Sequence, residues 1–322
     1  MIKKIKDFFL FWLKNIVEWL KKRSLPGFHG YPIYNVGVFF VRGLSKGNLG
    51  IRAGGVAFNF FMSLFPLIIF FFTLIPYIPI ENFQQELLHF LNEVLPNEAY
   101  ALFNSTIEDV VVKQRGDLLS IGIIMMLFFS SNGIKALIHA FNATYHSFET
   151  RSLLNRRLIS IGLVLILTVL LTAAVGLITL SDFLVSSFVS SELLSNSWIS
   201  FSVNLIKWII VIALFFFSTS FLYFLGPSRK NRFRFISPGA SLATIIQIFA
   251  ILGFSYYLKN FAQYNKLYGS IGTIMIVLLL LYITAYALII GFELNASIKE
   301  SDRLRPKWGR IFKNLPPESS EN

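Results

Sequence analysis

Hydrophobic residues arrive along this chain in long blocks, not at alternating positions. Five stretches contain no Lys, Arg, Asp or Glu: residues 53–80, 158–181, 208–228, 235–258 and 267–292, of 28, 24, 21, 24 and 26 residues. Each exceeds the roughly 18 apolar residues that mark a membrane-crossing helix. A sixth block, 118–142, is interrupted only by Lys135. A charge at mid-bilayer costs roughly 2.5 kcal/mol or more, so charge-free length is itself a span signal. Strands of a membrane barrel would alternate with period two over about ten residues, and these Ile-, Leu- and Phe-rich blocks do not. The pattern predicts an all-α polytopic membrane protein, a six-helix bundle with spans at about 53–80, 118–142, 158–181, 203–228, 235–258 and 269–296. It divides the chain into an arm at 1–52, a transmembrane domain at 53–298 and a polar tail at 299–322, disordered at its end.

Composition agrees. The 322 residues are 55% hydrophobic and 14% charged, with 35 Phe, whereas soluble domains run near 25% charged. Of the 29 Lys and Arg residues, 23 fall in the arm through Arg52, in 143–157, in 226–236 and in the tail from 297. The positive-inside rule then puts both termini in the cytoplasm. The net charge of +12 reads as this topology signal plus attraction to anionic headgroups, and no nucleic-acid partner is expected. The absence of Cys excludes disulfides, Fe–S clusters, thiolate zinc sites and Cys nucleophiles. The first apolar stretch, FFLFWLKNIVEWL, carries Lys14 and Glu18 and no small-residue cleavage site, unlike a signal peptide. Its Ile5, Phe9, Trp12, Ile16 and Leu20 fall at helical spacing, which suits a helix lying in the headgroup plane or one docked on the bundle. Segment 81–117, with seven acids and two bases, predicts two short helices opening at Asn82 and Asn97. It is expected outside the cytoplasm, packed on the bundle or available to envelope proteins.

Catalytic signatures are missing. There is no Walker A sequence, no HExxH and no GxSxG, and His29, His89, His139 and His146 are dispersed. No catalytic residue, cofactor or metal is therefore assigned. The candidate chemistry lies in polar residues within the spans, because hydrocarbon offers no water to solvate them. Asn132, Lys135, His139, Asn142 and His146 recur at spacings of three and four, a polar stripe on one helix face. Glu293 is the lone acid in the apolar body of the last span, at a depth that would allow a Lys135 or His139 partner. Lys207 lies near a span end beside Trp208, where its ammonium can snorkel to the interface. In the first span Asn59 and Ser63 share a face, and Pro66 interrupts the backbone ladder. These residues either line a path through the membrane or hydrogen-bond between helices and hold the bundle together.

The runs AGGVAFNFFMSLFPLII, SNGIKALIHAFNATYHSFETR, SPGASLA, YNKLYGSIGT and GFELNAS, spread over about residues 35–300, resemble in order and spacing the YihY/BrkB family of bacterial inner-membrane proteins. The most specific parts are YGSIG and ELNA. The resemblance implies six helices with both ends cytoplasmic, in the inner membrane. Carried over by position, it points to Pro66, Asn142, Tyr145, Glu149, Arg151, Pro238, Gly239, Tyr268, Gly269, Glu293 and Asn295. Members of that family have carried a ribonuclease label, ribonuclease BN, and others are linked to envelope integrity. The residues here give the nuclease label no metal-ligand cluster.

Three function classes follow. In a transporter or lipid-translocating protein, Asn59, Ser63, Pro66, Asn132, Lys135, His139, Asn142, Glu293 and Asn295 line a path. Glu149 and Arg151 then fix a cytoplasmic loop by an ion pair, and Arg156, Arg157, Arg229 and Arg232 hold lipid phosphates or serve topology alone. Pro238, Gly239, Tyr268 and Gly269 are structural. In a membrane scaffold or envelope-assembly factor the same residues only pack. The third class is a membrane-associated hydrolase. Membrane lipids, including anionic ones, are expected partners, and a homo-oligomer is compatible with the sequence.

Overall fold

A computed structural model describes residues 12, 15–28, 30–74, 116–144, 151–189, 197–228, 235–260 and 264–313. Every regular element among them is an α-helix: α1 (residues 15–22), α2 (Ile33–Lys46), α3 (Leu49–Leu74), α4 (Gly116–Thr144), α5 (Leu153–Val189), α6 (Ser197–Leu225), α7 (Pro238–Asn260) and α8 (Tyr264–Lys313). Six of these are long and apolar enough to cross a membrane, over Leu49–Phe70, Leu119–Thr144, Leu153–Ser181, Phe201–Leu225, Pro238–Tyr257 and Ile274–Ser301. They answer one for one to the six predicted spans. Nearly all of segment 81–117, the arm positions Ile5 and Phe9, and the tail beyond 313 lie outside the described residues.

Two elements differ from expectation. Helix α2 was not anticipated: Pro32, with φ −58°, fixes the entry backbone, and the helix stops at Gly47. Asn48 then adopts φ 46°, a left-handed conformation that Asn tolerates better than most residues, and α3 starts at once. This tight turn separates α2, which packs on α8, from α3, and the first span's helix begins before Arg52 instead of after it. At the other end of the chain, α8 continues as one helix of 50 residues. At 1.5 Å per residue it is about 75 Å long, against a hydrocarbon thickness of about 30 Å, so residues 299–313 project as helix where a polar tail was expected.

Each span packs on the next, and α8 packs on both α7 and α3, which closes the six into a ring. The main core draws on all six but sits toward the end that carries the N-terminal arm, here called the arm end. Its centre is aromatic. Phe141 of α4 stacks on Phe292 of α8 at 4.3 Å, and Tyr223 of α6 meets both edge-on with centroids 5.4 Å away. The Tyr223 hydroxyl donates to the Leu288 carbonyl at 2.6 Å, so the ring fills the core and its polar atom is satisfied. Gly133 of α4 lets α3 approach, since a Cβ there would lie 2.6 Å from the Phe60 ring. A second cluster, Phe28, Tyr31, Val36 and Ile298, fastens the arm and α2 to α8.

Candidate functional site

At the arm end α2 and α3 both pack on α8 and bring Gly43 and Arg52 to Glu293. Arg52 Nη1 lies 3.9 Å from Glu293 Oε2, and the two side chains are only 12% and 8% exposed. Nη1 also donates to the Gly47 carbonyl at 3.1 Å, while Nη2 donates to the Ala140 carbonyl and to Thr144 Oγ1. Gly47 follows the last residue of α2, and Ala140 and Thr144 form the final turn of α4. The guanidinium therefore sits at two helix C-termini, where the macrodipole favours a cation. One arginine thus ties α2, α3, α4 and α8 together. Gly43 is part of the fit, because a Cβ there would overlap the Glu293 carboxylate.

The predicted partner of Glu293 was Lys135 or His139. The structure gives it Arg52 instead. Both α4 residues are exposed and lie on the side of the helix away from Ala140 and Phe141, which face α3 and the core. Glu293 lies level with the last turn of α4, through Arg52 and its bonds to Ala140 and Thr144, and helical phase turns Lys135 and His139 away from it.

Several family-pattern residues staple the arm end. Ser237 accepts from the Ala240 N–H at 3.2 Å, a helix N-cap, and Pro238 occupies the first helical position, where its missing N–H costs nothing. Asn295 of α8 completes that cap: its Oδ1 accepts from the Gly239 N–H at 2.8 Å and its Nδ2 donates to Ser237 Oγ at 2.9 Å. Gly239 is required by packing, because a Cβ there would lie 2.6 Å from Asn295 Oδ1 and overlap the Gly291 carbonyl. Asn142 is buried and accepts from the Ser228 N–H and hydroxyl at 3.1 and 3.2 Å. Arg151 donates to the Gly226 carbonyl at 2.8 Å, capping the end of α6. Tyr268 and Gly269 lie in α8, with side chains outside the described residues. Tyr145, His146, Glu149, Arg229 and Arg232 also lie outside them.

The polar stripe divides. Asn142 belongs to the staples, whereas Asn132, Lys135 and His139 run along the face of α4 turned away from the core. Arg157 of α5 reaches across the seam between the two helices. Its Nη1 donates to Asn132 Oδ1 at 2.6 Å, and its guanidinium lies over the Phe128 ring, 4.2 Å from the centroid. At 100° per residue, Phe128, Asn132, Lys135 and His139 fall within about 60° of one another. Lys135 and His139 make no hydrogen bond or ion pair among the described residues. Arg156 lies in the first turn of α5, half-buried. The α3 positions do not join this stripe: Asn59 donates to its own helix at Gly55, Ser63 to Phe60, and Pro66 is buried. Sequence reasoning missed Gly43, Arg52, Thr144, Ser237 and Ser228 as partners. Two of these gave a signal, Arg52 as a base in the first turn of a span and Ser237 as a helix-start residue before Pro238.

Among the described residues no group of three His, Asp or Glu could hold a metal ion. The model of the family described as virulence factor BrkB matches residues 40–310. The chain belongs to the BrkB family. Among its BrkB-type relatives, YfkH of Bacillus subtilis (strain 168), whose name describes it as ribonuclease-like, is 32% identical over 253 residues, 79% of this chain and 91% of that protein. The UPF0761 membrane protein NTHI0384 of Haemophilus influenzae (strain 86-028NP) is 21% identical over 83% of this chain and 96% of its own length. The UPF0761 membrane protein VSAL_I2938 of Aliivibrio salmonicida (strain LFI1238) is 33% identical over 104 residues. No solved structure matches the chain.

Proposed function

We propose that this BrkB-family membrane protein translocates lipids, moving polar headgroups along the outer seam between α4 and α5. The observation that carries this reading is the polar stripe of half-buried Asn132 with exposed Lys135 and His139, flanked by Arg157, on a helix that otherwise has the length and apolarity of a membrane span. Polar groups facing hydrocarbon are costly unless something polar visits them. A stripe on the lateral surface, in the arm-end half of the span, is reachable by headgroups without a sealed tunnel. The Arg52–Glu293 clamp and the Asn295 cap serve a different purpose, holding the helices rigid at the arm end while the seam does the work. The lysine and arginine distribution supports an arm end in the cytoplasm and residence in the inner membrane. The ribonuclease-like name of the Bacillus relative finds no supporting geometry among the described residues.

The test uses proteoliposomes carrying headgroup-fluorescent phospholipid and a membrane-impermeant quencher. The parent chain should expose inner-leaflet label to the quencher, and Lys135→Ala or Asn132→Ala should slow that loss at matched reconstitution. Parent traces identical to protein-free liposomes would remove lipid movement by this chain and leave a scaffold role.

A further inference from the structure

Among the described residues the seam gathers cations with no acid beside them. Arg157 makes one hydrogen bond among the described residues, to Asn132, although a guanidinium has five donors. Asn132 and the Phe128 ring hold that guanidinium in place from two sides. One turn from Asn132, Lys135 projects on the same 60° sector, roughly 4.5 Å further along the axis at 1.5 Å per residue. His139 follows one turn later. Neither Arg157, Lys135 nor His139 forms an ion pair among the described residues, and Glu293 is held by Arg52 on the far side of α4.

We infer that this seam is a phosphate site: Arg157 and Lys135 grip the phosphate of a phospholipid headgroup, with His139 beside it, so that anionic phospholipids are the preferred cargo. The inference rests on the translocation proposal for its membrane-facing setting. The chemistry favours an anion with several oxygens, since a planar fork and a point ammonium together match a phosphate better than a carboxylate or a sugar hydroxyl. Two cations beside hydrocarbon with no ion pair among the described residues also call for a counter-anion, and in a bilayer the abundant one is the lipid phosphate. Asn132 acts here as a positioning residue: it accepts from Nη1 and so turns the remaining donors of Arg157 outward.

The experiment photolabels the full chain in detergent–lipid micelles with diazirine-bearing phosphatidylglycerol, and separately with a diazirine-bearing glucosyl diacylglycerol of the same acyl chains. Adducts are quantified on peptides covering 128–139 and 151–160. The parent should label with the phosphatidylglycerol about tenfold more than with the glycolipid, and each of Lys135→Gln and Arg157→Gln should cut that excess by about tenfold. Lys207→Gln, on α6, should leave it unchanged. Lys135 is exposed, so Lys135→Gln keeps the test open should Arg157→Gln fail to fold. Competition by millimolar inorganic phosphate would assign the site to free phosphate; its absence assigns it to the lipid. Equal labelling by both lipids, or labelling untouched by both substitutions, overturns the phosphate site. The two proposals fail separately: phosphate-dependent labelling without quenchable flux would sink translocation alone, and Lys135-dependent flux with equal labelling by both lipids would sink the phosphate site alone.

Discussion

Replacing either partner of the Arg52–Glu293 pair should show how far one buried contact governs the arm end. At 3.9 Å and an effective dielectric near 20, the attraction is about 4 kcal/mol. Desolvating two charges offsets much of it, so the pair's net contribution is smaller than its coupling. Removing one member is different, because the other then stays buried without its counter-charge. Arg52→Gln should cost about 3–5 kcal/mol, with the carbonyls of Gly47 and Ala140 and the hydroxyl of Thr144 losing their shared donor. Glu293→Gln should cost somewhat less, because the guanidinium keeps those three acceptors. The double variant should recover about 2–4 kcal/mol of the sum of the single losses. The assay is reversible unfolding in mixed micelles of rising SDS fraction, followed by circular dichroism for all four proteins. A coupling below about 0.5 kcal/mol, the scale of an exposed ion pair, would refute the claim that this contact is a buried clamp.

Gly43→Ala should destabilise by about 1–3 kcal/mol, since its Cβ must push the Glu293 carboxylate aside, and the loss should shrink in a Glu293→Ala background; equal losses in both backgrounds would count against the contact. Asn295→Ala removes both bonds at the start of α7 and should cost about 1–3 kcal/mol in the same unfolding assay, whereas Asn59→Ala, whose side chain bonds only within its own helix, should stay within about 0.5 kcal/mol. Gly133→Ala meets the Phe60 ring and should be rescued in part by Phe60→Leu, read as recovered melting temperature. Tyr223→Phe should lose about 1 kcal/mol with the bond to Leu288.

The six spans were legible because the cost of a mid-bilayer charge is local, and charge-free length reports it directly. Partner choice was not. Depth could be counted from the span ends, which put Lys135, His139 and Glu293 at one level, but the phase of α4 against α8 depends on packing of Phe141 on Phe292, which no single helix encodes. Helix α2 escaped notice because its apolar run is shorter than a span and Arg42 and Lys46 read as topology charges. Arg157 was counted as a loop base for the same reason, since the reach of a long side chain into the seam becomes visible only once α5 is set beside α4. The extension of α8 past Glu293 is a continuation of helix through mixed polar sequence, where hydropathy carries no signal. By contrast Ser237–Pro238–Gly239 is readable from helix-start chemistry alone; its tie to Asn295 needed the fold.

The absence of cysteine from the sequence makes the proposed track along Asn132, Lys135 and His139 directly measurable. Single variants Asn132→Cys, Lys135→Cys and His139→Cys, with Ile209→Cys on the exposed apolar face of α6, are reconstituted in liposomes and treated with a membrane-impermeant, thiolate-selective reagent. A thiol in dry hydrocarbon does not ionise and does not react. A polar track visited by water and headgroups predicts modification at 132, 135 and 139 and none at 209. Stripe positions as inert as 209 would contradict the track and leave Asn132, Lys135 and His139 without a transport role.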